Sequence, residues 1–159
     1  MAEAWGTGRC ACSLVRYELA SAPYWTHCCH CTECQRLTGS AFAVNTMIEA
    51  ERVHVTGKTA EVTVETPSGG GQTINNCASC QTALWTCYGG NPAIRFVRGG
   101  TLDQAGQIVP DIHIFTRSKQ PWVVIPEGTR TEDGFYNYED VWPAEALARR
   151  TAANATHGG

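Results

Sequence analysis

The strongest constraint on this chain is the segment Cys28-Cys29-His30-Cys31-Thr32-Glu33-Cys34. It reads as a C-x-C-x-x-C metal clasp with one extra cysteine in front. Cys29, Cys31 and Cys34 can reach one zinc ion from a single short stretch. Zinc takes four ligands, so three protein ligands leave a position for water or substrate. That separates a reactive site from a purely structural one.

The spacing also predicts local geometry. With Thr26 to Cys31 extended, alternate residues face the same way. His27, Cys29 and Cys31 then share one face, and Cys28 and His30 the other. Cys34 follows on the first turn of a short helix and closes the clasp, where the helix dipole favours thiolates. Either His27 or Cys28 could supply a fourth ligand and turn the clasp into a closed site. His30 points away from the metal face and reads as a packing group.

The chain carries nine cysteines in 159 residues. An odd count leaves one unpaired in any disulfide scheme, and clustered pairs argue for metal. Two partitions use the clusters. In one, Cys10, Cys12, Cys77 and Cys80 form a closed four-thiolate site, and Cys29, Cys31 and Cys34 an open one. In the other, the two C-x-x-C knuckles Cys31/Cys34 and Cys77/Cys80 form a single zinc ribbon, which leaves Cys10, Cys12 and Cys29 idle. The first partition employs more of the clustered cysteines and is preferred. Cys87 reads most simply as a half-buried strand residue.

Composition excludes several functions. Net charge is −3, with only 17% charged residues and no basic stretch, so there is no electrostatic footprint for nucleic acid. Apolar runs such as Val123 to Ile125 are far too short to span a bilayer. Met1 to Tyr17 has no signal-peptide core, and the chain reads as cytoplasmic.

Short alternating segments dominate: Leu14 to Leu19, Ala41 to Ile48, Val53 to Val55, Val62 to Val64, Ala83 to Tyr88, Ala93 to Val97 and Ile112 to Phe115. Turns are expected at Gly57-Lys58, Ser68 to Gly71 and Gly89 to Pro92. Helices are expected only at Thr32 to Leu37 and Pro143 to Arg150, the latter with proline at its start and arginines at its end. The fold class is therefore mainly β. Residues from Glu127 onward form a polar, aromatic-dotted extension, and Thr151 to Gly159 read as disordered.

These elements resemble the glutathione-dependent formaldehyde-activating family, which includes the centromere protein V-like domains. The matching pieces are Gly8-Arg9-Cys10-Ala11-Cys12, then Cys29 to Cys34 with Gly39-Ser40-Ala41-Phe42. Cys77-Ala78-Ser79-Cys80, Gly99 to Asp103, His113-Ile114-Phe115 and Pro121-Trp122 follow in the family's order. The resemblance covers residues 6–126. It implies an Mss4-like, β-sandwich-type domain of short antiparallel strands over 1–126, with 127–159 as an extension. It implies two zinc ions per chain: a structural one on Cys10, Cys12, Cys77 and Cys80, and a catalytic one on Cys29, Cys31 and Cys34. The implied activity is a carbon–sulfur lyase reaction, the reversible joining of glutathione to formaldehyde as S-hydroxymethylglutathione. The chain departs from the family at Ser13 and Gln81, where glycine is common, at Phe115 in place of tryptophan, and at Cys28 in place of asparagine.

In such chemistry a thiol substrate binds as thiolate at the open metal position and attacks a carbonyl carbon. A proton donor or acceptor is needed. His113 is the first candidate because it lies in a matched segment; His30, Glu33 and Asp111 are the others. Arg36, Arg95, Arg98 and Arg117 could hold a ligand's carboxylates, and Phe135, Tyr136, Tyr138 and Trp142 could cap a pocket or simply pack. The expected partner is a small thiol or thioether, and a homo-oligomer is compatible with the sequence. Two alternatives remain: a non-catalytic zinc module that carries a thiol or binds a protein, and a methionine sulfoxide reductase-like enzyme using Cys28 or Cys87.

Overall fold

The computed structural model describes residues 4–157. Ten strands form two sheets. Strands β1 (Gly6–Arg9), β2 (Arg16–Leu19) and β5 (Val53–Thr56) make a three-stranded antiparallel sheet. The larger sheet has seven strands. In spatial order they are β10 (Ile112–Ile114), β3 (Trp25–Cys29), β4 (Ala43–Glu49), β9 (Ile94–Arg98), β8 (Ala83–Tyr88), β7 (Gln72–Cys77) and β6 (Thr59–Val64). The pairings are antiparallel except one: β10 runs parallel to β3. The sheet is mixed, where the sequence suggests antiparallel strands throughout.

The large sheet has a different core on each face. On β4, Met47 enters one cluster and its neighbour Ile48 the other. On β9, Ile94 enters the first and Val97 the second. Strand pleat explains this, since successive side chains point to opposite faces. One face packs on the small sheet through Tyr17, Leu19, Val53, Leu84 and Trp85. The other is covered by the extension: Val141, Trp142, Ala146 and Ala153 join Trp25, Met47 and Ile94. A strand covered on both faces shows no burial alternation, and every residue of β3 is buried.

Three helices complete the fold: α1 (Thr32–Thr38), α2 (Tyr138–Val141) and α3 (Ala144–His157). Helix α3 runs through Thr151 to His157, where the sequence reading expects disorder; Gly158 and Gly159 lie outside the described residues. Alanine is the best helix former, and Ala153 is buried while Asn154 accepts a 2.9 Å hydrogen bond from Asn91 Nδ2. Arg149 fastens the helix to β4, donating to both carboxylate oxygens of Glu49 at 2.8 and 2.6 Å. The extension also covers the β10 edge. His113 N–H donates to Arg130 O, and Glu132 N–H to His113 O, each at 2.9 Å. Such an edge would otherwise present unpaired backbone groups.

Strands β1 and β7 are absent from the sequence reading. β7 is Gln-Thr-Ile-Asn-Asn-Cys, poor in strand formers. It is ordered by β6 and β8 on its two sides. In β1, Gly8 lies against Tyr17, where an added Cβ would come within 2.1 Å of the ring.

Candidate metal centre

Three groups of ligating side chains emerge, each with its donor atoms within 4.8 Å of one another. The first is Cys10, Cys12, Cys77 and Cys80. Cys10 and Cys12 follow β1, while Cys77 ends β7, so the group bridges the two sheets. Cys10 Sγ and Cys12 Sγ are 3.5 Å apart, and Cys12 Sγ and Cys77 Sγ 3.8 Å. Tetrahedral zinc with bonds of about 2.3 Å demands sulfur separations of about 3.8 Å, whereas a disulfide needs about 2 Å. The donor set fits a closed zinc site and not a disulfide.

Both knuckles of this group turn through a left-handed residue. Ser13 has φ 63° and Gln81 φ 59°. Their N–H groups donate back to Cys10 O and Cys77 O, each at 3.0 Å. These are the two positions where the family commonly has glycine, which adopts that conformation without steric cost. The departure leaves the turns intact and adds strain.

The second group is the clasp, Cys29, Cys31 and Cys34. Cys29 ends β3. Cys31 is the N-cap of α1, and its sulfur accepts the Cys34 N–H at 3.2 Å. The three thiols are coupled: hydrogen bonds from Cys29 and then Cys34 favour the Cys31 thiolate, and Cys29, which gives one, is pushed up. Three thiolates meeting at one point with no fourth Cys, His, Asp or Glu grouped with them among the described residues fit a zinc ion with one open position. His27 is not part of the group. Its Nε2 meets the Tyr136 hydroxyl, which also accepts from Trp142 Nε1 at 2.6 Å. Burial holds His27 down at about 3, so its imidazole is neutral and shares a hydrogen bond with the Tyr136 hydroxyl.

Of the four arginines that could hold a ligand's carboxylate, Arg98 stands apart. It is 8% exposed, yet no carboxylate pairs with it among the described residues. It donates to Asn45 Oδ1 at 2.6 Å and Thr86 Oγ1 at 3.2 Å. Its charge favours the Cys34 thiolate. A buried charge normally requires a partner; a zinc ion on three thiolates would carry one net negative charge, which Arg98 would offset. By contrast Arg36 pairs with Glu33 on the surface, Arg95 stacks on Trp85, and Arg117 lies over Phe115.

An aromatic cavity of about 90 Å³ lies between the sheet and the extension. Tyr24, Tyr88, Phe96, Tyr138 and Trp142 line it, with Arg150 at its wall. Tyr88 sits near the clasp: burial, then the charge of Cys34, raises its pKa. Tyr138 and Trp142 therefore do border a pocket, while Tyr136 bonds His27. Tyr88 escaped the sequence reading because a tyrosine at a strand end carries no motif. A wider hollow of about 510 Å³ lies beside Cys10 and Ser13. It faces the four-cysteine group, which has no free valence when metallated.

His113 and His30 are not grouped with the clasp. They form the third group, with Cys28, on the opposite face of β3. Asp111 accepts the Thr26 N–H at 2.7 Å and positions the start of β10. Glu33 sits in the first turn of α1. Cys87 is half-buried on β8, as expected, and burial raises its thiol pKa. All nine cysteines are free thiols.

A mainly β domain carrying clustered, unbridged cysteines defines a class of thiolate metal-site proteins. The family model for the glutathione-dependent formaldehyde-activating enzyme matches residues 6–118, and the chain belongs to that family. The family's fold is Mss4-like. Among solved structures, the chain is similar to a Rhodobacter sphaeroides protein from a structural genomics programme. The two share 19% identity and a TM-score of 0.48, over 65% of this chain and 97% of the other. Comparison with individually curated proteins gives no match. No helix among the described residues is long and apolar enough to cross a membrane.

Proposed function

We propose that this protein is a zinc-dependent carbon–sulfur lyase that makes and breaks the bond between glutathione, or a related thiol, and a small carbonyl compound. Two zinc ions per chain are part of the proposal, one in each cysteine-only group. The observation that carries it is the three-thiol clasp, whose Cys29 and Cys34 share one core cluster with Tyr24, Phe96, Tyr138 and Trp142 of the aromatic cavity wall. Zinc held by Cys29, Cys31 and Cys34 would supply Lewis acidity for a substrate thiolate.

The remaining work falls to the chain's own residues. The clasp thiolates donate charge to the site, which keeps a bound thiolate nucleophilic. Arg98 offsets the net negative charge. In the forming direction the substrate sulfur attacks the carbonyl carbon, a C–S bond forms, and the carbonyl π pair moves to oxygen. That oxygen takes a proton, balancing the one lost by the thiol. Tyr88, whose pKa burial raises, would keep its proton and donate a hydrogen bond to the developing oxyanion. His113, the first choice from sequence, faces the other side of β3, so Tyr88 takes its place. The cavity's volume of about 90 Å³ would admit a small electrophile, with Arg150 at its wall. Nine free cysteines support a reducing, cytoplasmic setting.

The test is turnover of glutathione with formaldehyde, followed with native mass spectrometry of metal content. Two zinc ions in the cysteine-only groups, a retained glutathione adduct and loss of both turnover and adduct in Cys29→Ser are expected. Undiminished turnover in Cys29→Ser would overturn the reading.

A further inference from the structure

The clasp uses one face of β3; the opposite face carries a second constellation that the proposed reaction leaves unused. Strand β10 pairs with β3 in parallel, with His113 opposite Cys28. Neighbours in register share a face, and so do residues two apart on one strand. Cys28, His30 and His113 are thereby brought together. Cys28 is 1% exposed and His30 fully buried.

The contacts converge on one point. His30 Nε2 lies 2.9 Å from His113 Nδ1 and 3.6 Å from Cys28 Sγ. A neutral imidazole nitrogen offers either one hydrogen or one lone pair. It cannot satisfy both neighbours by ordinary hydrogen bonding. Burying polar groups in this state is unfavourable, whereas a cation at the centre would engage all three donors at once.

The backbone holds the donors in place. His30 N–H donates to Ile114 O at 3.0 Å, and His30 O accepts from Gln35 Nε2 at 2.8 Å and Ser118 Oγ at 2.9 Å. His113 is fixed by Arg130 and Glu132 through its own backbone groups. The rings of His30 and His113 stack at 5.2 Å, and Phe42 closes one side at 5.4 Å. An imidazole ligates through a neutral ring nitrogen, and His30 and His113 each turn one toward the shared centre.

We propose that Cys28, His30 and His113 form a third metal site, a one-thiolate, two-imidazole set for a zinc-type divalent cation. Nitrogen and sulfur donors in this mixture suit zinc rather than calcium or magnesium, which require oxygen. Three protein ligands leave a fourth position for water or an anion. This site does not depend on the lyase reading, since it shares no ligand with the clasp.

The experiment is native mass spectrometry of the full chain after zinc saturation, with ¹¹³Cd NMR of the cadmium-substituted protein. The wild type is expected to hold three ions and to give three cadmium signals, one well shielded relative to the thiolate-rich pair. Cys28→Ala and His113→Gln should each lose one ion and that signal, with the other two signals unchanged. His113 is only half-buried, so its variant carries the test if Cys28→Ala fails to fold. Two ions and two signals in the wild type, unaltered in either variant, would overturn the site. Failure of the lyase reading is separately visible, as absent turnover with an intact third signal.

Discussion

The two cysteine-only groups use the same ligand atom for opposite ends. The four-cysteine group joins residues 65 positions apart and lies where the small sheet meets the large one. The clasp draws on a single junction between β3 and α1, with every backbone tether local. A metal at the first closes a long loop and stabilises the fold itself; a metal at the second closes almost none. On the proposed roles, ligand spacing along the chain, more than ligand identity, separates a staple from a working site.

The largest test of that contrast is Cys77→Ser. It removes a buried thiolate from a site of a kind that contributes about 10 kcal/mol or more to folding, against a typical domain stability of about 5–15 kcal/mol. Loss of the cooperative melt is expected by circular dichroism. Cys31→Ser should keep a cooperative melt and lose turnover. Equal unfolding in both variants would erase the distinction.

A smaller effect tests the clasp's charge balance. Arg98→Met should lower kcat about 100-fold, the scale of losing one preorganised electrostatic partner. A KM change alone, with kcat intact, would count against this role. Next comes the bridge that fastens α3. Arg149→Ala leaves the buried Glu49 with only the 3.5 Å contact to Arg52, and a loss of up to about 3 kcal/mol is expected in urea unfolding. The same pair sets a pH dependence. Burial pushes the Glu49 pKa up, but hydrogen bonds from Arg149 and the nearby charges of Arg149 and Arg52 more than offset it and leave it below the ordinary value of 4.5. The stabilisation is therefore complete above 4.5 and disappears as pH falls through the lower folded value. Wild type should show this acid loss, and Glu49→Gln should not. The smallest effect is a gain: Ser13→Gly and Gln81→Gly should each stabilise by about 1 kcal/mol by relieving left-handed strain. They act on the knuckles of the staple alone, so clasp activity should not change.

The cysteine groups were legible because metal ligation imposes short, fixed spacings that survive in the linear sequence. The two faces of β3 were legible too, because pleat is a strict rule of two. What escaped depends on contacts remote in sequence. His27 faces Tyr136 across 109 positions, so nothing local distinguishes it from a ligand. β7 reads as polar coil until neighbouring strands claim it. The Ala-rich end of α3 looks featureless, although its alanine content was a helix signal that the small, polar composition masked. His113 was picked by its place in a motif, yet the partner that decides its orientation is the parallel register with Cys28.

That register has a consequence for how the segment can change. Trp25 to His30 presents alternate residues to two separate compartments, each with its own donors. Substitutions can alter either compartment without touching the other. Removing or adding a single residue cannot: it would send Cys28 to the clasp side and Cys29 to the histidine side together. The length of this segment is thus under tighter constraint than its composition. Variation among relatives should run through replacements here, and through insertions only beyond Gly39.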